Sequence, residues 1–557
     1  MNDNRPACPY LAETHVVENV PPPLENYSMF GQDAALREAV ERFGGQWAEP
    51  QLQAFGADCG TPERLRLGFE ANENPPRLRT HDPQGNRVDE VEFHPAYHQL
   101  MTLAIENQLH ALPWTSAKAG AHVVRAALNY LHTQVEAGHG CPVTMTFASV
   151  PTLRKQPDIA AQWLARLTAA VYDPRNVPHT EKAGLTIGMA MTEKQGGSDV
   201  RQNSTRAFPL EGGGPGTAYE IVGHKYFVSA PMSDGFLMLA GTDAGLSCFL
   251  VPRWRPDGTK NPLQINQLKD KMGNVSNASA ETELRAALGW MIGAEGRGIA
   301  NILEMVALTR FDCAVASAAG MRQAVSQATH HCRHRQAFGA ALDRQPLMQN
   351  VLADLALEAE AAMWLSLRLA QALDRSADDE SEALLARLGT AIGKYWVCKR
   401  SPGHAFEAME CIGGSGVMET SVMARLYREA PVNAIWEGSG NVQCLDVLRA
   451  VHKTPATLDT LLAEIATARG ENRELDRLGD EIGAAFRDPE KLIGAARPLV
   501  EKMALAWQAS LLIRAGNEAV SDAFCASRLG PGGGRLYGTM PDGLDLKAVI
   551  ERARPEF

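Results

Sequence analysis

The chain has 557 residues, of which 45% are hydrophobic and 21% charged, and its formal net charge is −11. The length predicts about three to four domains, and the composition is typical of a globular protein with a large core. An acidic chain has no general attraction for nucleic acid or anionic membrane, so any such contact requires a local cationic patch. No apolar run reaches the ~18 residues of a membrane span, and residues 1–6 do not begin a secretion signal.

Ten cysteines lie far apart, without a Cys-x-x-Cys pair. This spacing argues against a disulfide framework and is typical of a reducing compartment, so we expect a cytoplasmic location. His139 and Cys141 have no partners at a metal-binding spacing. His330 and His334 share a helical face but lack an acidic partner. The sequence therefore predicts no metal site.

Residues 1–187 are predicted to form an N-terminal arm and a helical domain. The Pro21-Pro22-Pro23 run favours an extended arm over the first 30 residues. From residue 32 apolar side chains recur every three to four positions, which indicates helices, and Asp33 is placed to cap the first of them. A later helix is predicted over 117–136.

Residues 188–290 are predicted to form a small antiparallel β domain. Four short segments rich in β-branched and aromatic residues are separated by turns rich in Gly and Pro. The predicted strands are Tyr219–Ser229, Phe236–Gly241, Ser247–Val251 and Leu263–Leu268.

Long helices are predicted again in residues 291–450, where short connections indicate a bundle. Pro346 suits the first turn of one helix, and a polar break at 376–380 separates it from the next. Residues 451–557 continue with helical character and end in a glycine-rich stretch and a tail that we expect to be mobile. The predicted fold class is therefore mainly helical α+β, in the order α, β, α, with an additional C-terminal helical region.

Three stretches carry groups suited to a flat or anionic ligand. In Met191–Val200, the pair Gly196-Gly197 lets the backbone approach a ligand closely. The second stretch is the strand-like Gly223–Pro231. The third, Ile435–Asn441, places the carboxylate of Glu437 beside an aromatic ring and two glycines. Each has a plainer alternative, such as a turn for the first and a solvated helix-end carboxylate for the third.

Together these stretches resemble the acyl-CoA dehydrogenase family. Their amino-acid sequences most resemble the AidB-type branch of that family, which comprises flavoproteins of the bacterial response to DNA alkylation. The resemblance implies FAD as cofactor and an acyl-CoA-like substrate. It also implies that Glu437 is the base that removes the α-proton while a hydride passes to flavin N5. The residues that it implies for FAD binding are Met191, Thr192, Gly197, Ser198, Phe227, Val228, Ser229, Arg335, Phe338, Gln349, Gly413, Gly414, Trp436, Ser439 and Asn441.

The stretch from Arg335 to Gly339 resembles an element that, in the family, reaches the flavin pyrophosphate of a neighbouring subunit. The resemblance therefore implies a homotetramer built as a dimer of dimers. Arg310 and Arg449 resemble arginines near the substrate, although Arg449 is equally well explained as a surface residue of a helix.

Two functions stay open. The first is a flavoprotein with weak or narrow acyl-CoA dehydrogenation that binds double-stranded DNA in the alkylation response. The alternative is an ordinary acyl-CoA dehydrogenase with no DNA role. The resemblance implies DNA binding by residues 451–557, but that region holds 14 Lys plus Arg against 16 Asp plus Glu. Because DNA-binding modules normally carry a basic excess, its cations must gather on one face.

Overall fold

The computed structural model describes residues 15–556, so the first part of the predicted arm, residues 1–14, lies outside the described chain. Residues 15–30 contain bends and turns but no helix or strand. They run along the end of a long helix, where Arg335 donates to the Asn19 carbonyl oxygen at 2.6 Å. The described part of the predicted arm is therefore bound to the end of this helix, but it does not only cover the surface, because Leu24, Tyr27, Met29 and Phe30 are buried in the main core.

A group of helices and one hairpin forms the N-terminal part, and Asp33 caps the first helix as predicted, accepting from the backbone N of Leu36 at 3.0 Å. The hairpin is not among the predicted elements, because its strands are rich in charged residues and mostly open to solvent. The elements are α1 (Ala34–Arg42), α2 (Glu49–Cys59), α3 (Pro62–Glu73), β1 (Arg77–His81), β2 (Arg87–Glu92), α4 (Pro95–Glu106), α5 (Leu112–Thr115), α6 (Ala121–Val135), α7 (Gly140–Leu153) and α8 (Pro157–Leu167).

One sheet forms the middle of the chain. Its strands are β3 (Ile187–Ala190), β4 (Arg206–Pro209), β5 (Ala218–Ser229), β6 (Gly235–Thr242), β7 (Gly245–Pro252), β8 (Leu263–Leu268) and β9 (Ser279–Ile292). The four predicted strands correspond to β5, β6, β7 and β8. Most pairs are antiparallel, but β3 runs parallel to β6, and β4 meets β6 in parallel at one residue pair. The purely antiparallel prediction needs this correction, since the long connection from β3 to β6 lets the chain return in the same direction.

The long helices after the sheet form the predicted bundle. Pro346 is the first residue of its helix, and the predicted break falls between two of the helices. The elements are α9 (Gly298–His334), β10 (Gln336–Ala337), β11 (Ala340–Ala341), α10 (Pro346–Arg375), α11 (Glu380–Ile412), α12 (Val422–Glu429), α13 (Val432–Ile435) and α14 (Gly440–Lys453).

The C-terminal region shares its core with the bundle. Trp507 is fully buried, and its ring lies so close to Gly389 of α11 that a Cβ there would be 2.6 Å from a ring carbon. Trp396 of α11 donates to the Gln508 side chain at 3.1 Å. The region consists of α15 (Ala456–Ala466), α16 (Arg473–Ala485), α17 (Pro489–Ala515), α18 (Glu518–Phe524) and α19 (Leu546–Ala553).

The tail that we expected to be mobile contains the packed helix α19, which corrects that prediction. Val549 and Ile550 are buried against the main core. Arg552 also forms an ion pair with Glu360 of α10 at 3.0 Å. The contacts of α19 were not predicted, because the glycine-rich stretch before it suggested disorder, as glycines and prolines near a chain end usually do. None of the helices within residues 15–556 is both long and apolar enough to cross a membrane.

Candidate active site

A cavity of about 610 Å³ lies where the sheet meets α6, α7, α9, α11 and the segment from α12 to α14. This volume is typical of small-molecule and cofactor sites. Residues more than 200 positions apart in the chain converge on its wall. The predicted site residues found there are Met191, Thr192, Gly197, Ser198, Phe227, Ser229, Arg310, Trp436, Glu437 and Ser439.

A buried ion pair fixes the glycine-containing loop beside the sheet. The ammonium of Lys225 lies 2.8 Å from Glu193 Oε1 and also donates to the Leu239 carbonyl at 2.7 Å. Burial raises the pKa of Glu193, but Lys225 and hydrogen bonds from neighbouring residues outweigh it and lower the pKa to about 2. Because the backbone N of Tyr226 donates to the Thr192 carbonyl at 2.9 Å, the loop is held against β5.

The aromatic residue of the second stretch reaches the cavity through a β-bulge. The register between β5 and β9 shifts between Lys225 and Val228, and this shift turns the ring of Phe227 out of the sheet. Phe227 is 43% exposed and lines the cavity, as does Ser229. Val228 instead packs into the core of the sheet, so only its backbone is available to a ligand.

Glu437 stands on the opposite side, in a strained turn. Its φ is +58°, in a region that non-glycine residues rarely adopt, and Gly438 follows with φ +99°. Lys394 holds the turn by donating to the carbonyls of Trp436 at 2.8 Å and Gly438 at 2.6 Å. Arg310 donates to the Glu437 carbonyl at 2.9 Å. Such strain costs ~1–3 kcal/mol and is characteristic of functional sites.

The carboxylate of Glu437 is enclosed by protein although part of the residue is open to the cavity. Its Oε2 accepts a hydrogen bond from the Thr309 hydroxyl at 2.7 Å. Burial raises the pKa of Glu437, while the Thr309 hydrogen bond and the charges of Arg310 and Lys394 oppose the rise. A carboxylate with a raised pKa is a stronger base once it is ionised, which suits the removal of a weakly acidic proton.

The residues of this cavity fit a flavin. Phe227 lines the same cavity as Thr192 and Ser198, which carry hydroxyl groups, and Gly197 leaves the backbone uncovered, since a Cβ there would meet only the Thr192 methyl group at 3.5 Å. A flat ring system with polar edges needs this combination of an apolar face and nearby hydrogen-bonding groups.

The other predicted residues lie away from the cavity wall. Arg335 and Phe338 belong to an exposed hairpin, and Phe338 is 98% exposed at its tip. Gly413 and Gly414 are open, since a Cβ at either position would have no atom within 4 Å. Arg449 is on the surface of α14. The predicted site residues that do not line the cavity are Val228, Arg335, Phe338, Gln349, Gly413, Gly414, Asn441 and Arg449.

Several residues of the site are absent from the sequence predictions. Thr309 directly precedes Arg310, and its role depends on a contact across 128 residues. Lys394 is a buried cation within a mostly apolar stretch of α11. A lysine in such a stretch could have indicated a site residue from the sequence. Lys271, Asn274 and Glu429 also line the cavity.

The histidines and cysteines considered for a metal take other roles. His139 Nδ1 lies 2.7 Å from a Glu136 oxygen, and His330 Nε2 lies 2.8 Å from the Pro22 carbonyl. Cys141 lines the cavity. Over residues 15–556 no group of three or more His, Cys, Asp or Glu side chains could hold a metal ion.

Comparison with known protein families gives three consecutive matches. Residues 19–174 match the adaptive response protein AidB N-terminal domain. Residues 188–287 match the acyl-CoA dehydrogenase middle domain, and residues 296–452 match the acyl-CoA dehydrogenase C-terminal domain. The cavity lies between the parts of the chain that these three matches cover.

Individual proteins agree with this pattern. The chain is 46% identical to AidB of Escherichia coli K12 over 96% of its own length and 98% of that protein. It is 30% identical to acyl-CoA dehydrogenase family member 11 of Caenorhabditis elegans, covering 83% of this chain and 76% of that one. The crystal structure of C. elegans ACDH-11 in complex with C11-CoA superposes with a TM-score of 0.83 and 26% identity, over 94% of this chain and 95% of that one.

Proposed function

Because the chain belongs to the acyl-CoA dehydrogenase family and to its AidB-type branch, we propose that it dehydrogenates a narrow range of acyl-CoA thioesters and also binds double-stranded DNA. Its cofactor is FAD, and its class is that of an FAD-dependent oxidoreductase. The observation that carries the enzymatic part is that Glu437 lines the same cavity as the flavin-suited residues Phe227, Thr192 and Ser198.

Glu437 accepts the proton from the carbon next to the thioester carbonyl. When bound, FAD supplies the acceptor for the hydride that leaves the neighbouring carbon. Thr309 fixes the orientation of the carboxylate, and Arg310 and Lys394 hold its backbone in the strained turn. Support for a thioester comes from the bound C11-CoA of the C. elegans structure.

The proposed activity is tested by adding acyl-CoA thioesters to the FAD-loaded protein without oxygen. We expect bleaching of the flavin absorbance with some thioesters and none with the corresponding free acids, since only the thioester makes the α-proton acidic enough for Glu437 to remove. A panel that varies chain length and branching measures how narrow the range is. If no thioester bleaches or shifts the flavin spectrum, the proposed dehydrogenation is wrong.

We further propose a homotetramer in which the Arg335–Gly339 hairpin completes the FAD site of a neighbouring subunit. Within its own chain Arg335 is bonded to Asn19 and does not line the cavity. The hairpin carries Phe338 into solvent, and Leu347 and Val417 are also largely exposed. We propose that these apolar side chains are buried against a neighbouring subunit.

The assembly is tested with Phe338→Asp. We expect a smaller particle that loses FAD more readily, because a charge at the hairpin tip cannot be buried in an interface and assembly supports cofactor binding. Light scattering gives the mass, and the ratio of flavin to protein absorbance gives the FAD content. Ile493→Asp is the control, because Ile493 is also exposed but lies on α17, away in sequence from the hairpin and the start of α10. A monomer that keeps all its FAD contradicts the proposal.

DNA binding is supported by a line of cations along α14, which we call the α14 stripe: Arg387, Arg449, Lys453 and Arg497. Asp446 is paired with Arg387 at 2.9 Å, Arg449 at 3.7 Å and the partly buried Arg310 at 3.0 Å, so one carboxylate faces three cations. Arg497 of α17 reaches the start of α14 by donating to Asn441 at 2.8 Å. From Asn441 to Lys453 the helix is ~18 Å long, which is the axial length of about five base pairs.

The remaining cations of the C-terminal region mostly have acidic partners. In the described part of residues 451–557, carboxylates lie within ion-pair distance of Arg469, Arg473, Arg477, Lys491, Lys502, Arg514, Arg528, Lys547, Arg552 and Arg554. The C-terminal region therefore has few positively charged side chains without an acidic partner. We propose that it contacts DNA mainly through Lys453 and Arg497, together with Arg449 from the end of the bundle, and that the protein acts in the alkylation response.

The cellular setting and the division of the chain are also proposed. We place the protein in the cytoplasm, where thiols stay reduced, because the nine cysteines within the described residues are all free. The division at 187, 290 and 450 stays a prediction. It is supported by the change from helices to strands before β3 and back to helices at α9.

A further inference from the structure

The cavity has a polar wall beyond Glu437 that a hydrocarbon chain does not satisfy. Lys271 and Asn274, from the loop between β8 and β9, and Glu429, at the end of α12, line it. An apolar group placed against these side chains would remove water from them without supplying hydrogen bonds, which weakens its binding.

All three residues have unused hydrogen-bonding capacity. Lys271 donates to the Asn277 carbonyl at 2.6 Å, which uses one of its three hydrogens. Both oxygens of Glu429 accept from the single backbone N–H of Asn274, at 2.8 Å each. The side-chain Oδ1 of Asn274 is buried and has no hydrogen-bond partner within residues 15–556. Buried polar atoms without partners are uncommon in native proteins, and this one belongs to a residue of the cavity wall.

The charges of Lys271 and Glu429 cancel when both groups are ionised, at pH values above the pKa of Glu429. Burial and the nearby Glu136 raise the pKa of Glu429 to about 7, although the Asn274 N–H, Arg425 and Lys271 oppose the rise. Burial also lowers the pKa of Lys271. With both groups ionised the pair has no net charge, so a charged ligand group finds no excess of opposite charge there. A neutral group that both donates and accepts hydrogen bonds can pair with Lys271 and with Glu429 at once.

The polar wall adjoins the catalytic carboxylate. Burial raises the pKa of the Cys141 thiol to about 12, and the charges of Lys271 and Glu437 both act on it, in opposite directions. Cys141, Lys271, Glu429 and Glu437 all line the same cavity, so one ligand in that cavity can reach both the carboxylate and the polar wall.

We propose that Lys271, Asn274 and Glu429 form a subsite that selects acyl thioesters whose acyl group carries a neutral hydroxyl or carboxamide, in preference to plain hydrocarbon chains. The proposal rests on the proposed acyl thioester activity. A carboxamide accepts a hydrogen bond from Lys271 through its oxygen and donates one to Glu429 through its nitrogen. A hydroxyl group does both with a single atom.

The test compares acyl-CoA thioesters of equal chain length that end in a methyl, a hydroxyl or a carboxamide group. They are titrated into the FAD-loaded protein, and the shift in the flavin spectrum gives each Kd. We expect the hydroxyl or carboxamide compound of at least one chain length to bind ~10-fold or more tightly than its methyl counterpart. Lys271→Met and Glu429→Leu should each reduce this preference by about the same factor.

Glu429→Gln is a milder variant that keeps the size of the side chain and accepts from the Asn274 N–H, and it should reduce the preference less than Glu429→Leu. Glu419→Gln is the matched control, because Glu419 lies on the same segment but is exposed and paired with Arg428. If the wild-type protein binds the methyl compounds as tightly as the polar ones at every chain length, the subsite is wrong and the dehydrogenation stands. If no thioester shifts the spectrum, both proposals are overturned.

Discussion

Glu437→Gln should slow reduction of the flavin by an acyl thioester at least ~10²-fold, the effect typical of removing a general base. The substitution keeps the shape of the side chain and its hydrogen bond with Thr309, but an amide cannot accept the α-proton. Stopped-flow absorbance without oxygen measures the rate, and the protein-to-flavin absorbance ratio measures FAD content. FAD content should stay close to wild type, since the side chain is not needed for the fold of the turn.

The pH dependence of the wild-type rate provides a second measurement. Glu437 acts only when ionised and burial raises its pKa, so the rate should rise as the pH increases through a value above the ordinary range of a carboxyl group. Glu429 titrates near pH 7 in the same cavity, and Glu429→Gln separates its contribution. Equal reduction rates in wild type and Glu437→Gln would show that another group is the base.

The elements with a strong local signal were predictable from sequence. Asp33 and Pro346 mark helix starts through capping and a fixed φ, which act within one turn. The long strand β9 was missed because its first half is rich in charged residues, and its pairing with β5 decides its conformation. The parallel pairing of β3 depends on a partner more than 40 residues away, and no local pattern encodes that.

The same distinction applies to the site. Glu437, Thr192 and Phe227 lie in short stretches whose amino-acid sequences resemble those of acyl-CoA dehydrogenases. These residues could therefore be predicted as site residues from the sequence alone. Lys271 and Glu429 come from elements that meet only in the folded chain, and neither has neighbours in sequence that indicate a ligand. Their significance depends on missing partners, which only coordinates reveal.

DNA binding should be sequence-independent and steeply dependent on salt. If six or more phosphates are engaged across the assembly, affinity should fall ~10³-fold or more between ~50 and ~200 mM salt, because each neutralised phosphate releases a counterion. Changing Arg449, Lys453 and Arg497 together to Gln should weaken binding at low salt. It should also reduce the slope of log affinity against log salt by ~3 for each subunit that contacts the duplex. Fluorescence anisotropy with a labelled duplex measures both quantities.

Removal of the C-terminal region is a poor test of the same idea, because Trp507 and Gln508 belong to the core of the bundle and truncation would expose it. A triple variant of equal charge change is the better control: Arg473, Lys491 and Lys547 to Gln, all exposed and each paired with a carboxylate. The control should bind more tightly than the α14 variant, since it removes the same total charge but leaves the α14 stripe unchanged. An equal loss of DNA affinity in both variants would mean that only the net charge of the protein matters.

A further outcome concerns CoA. If the wild type does not bind DNA at low salt and the α14 variant loses affinity for acyl-CoA, the α14 stripe binds the phosphates of CoA instead.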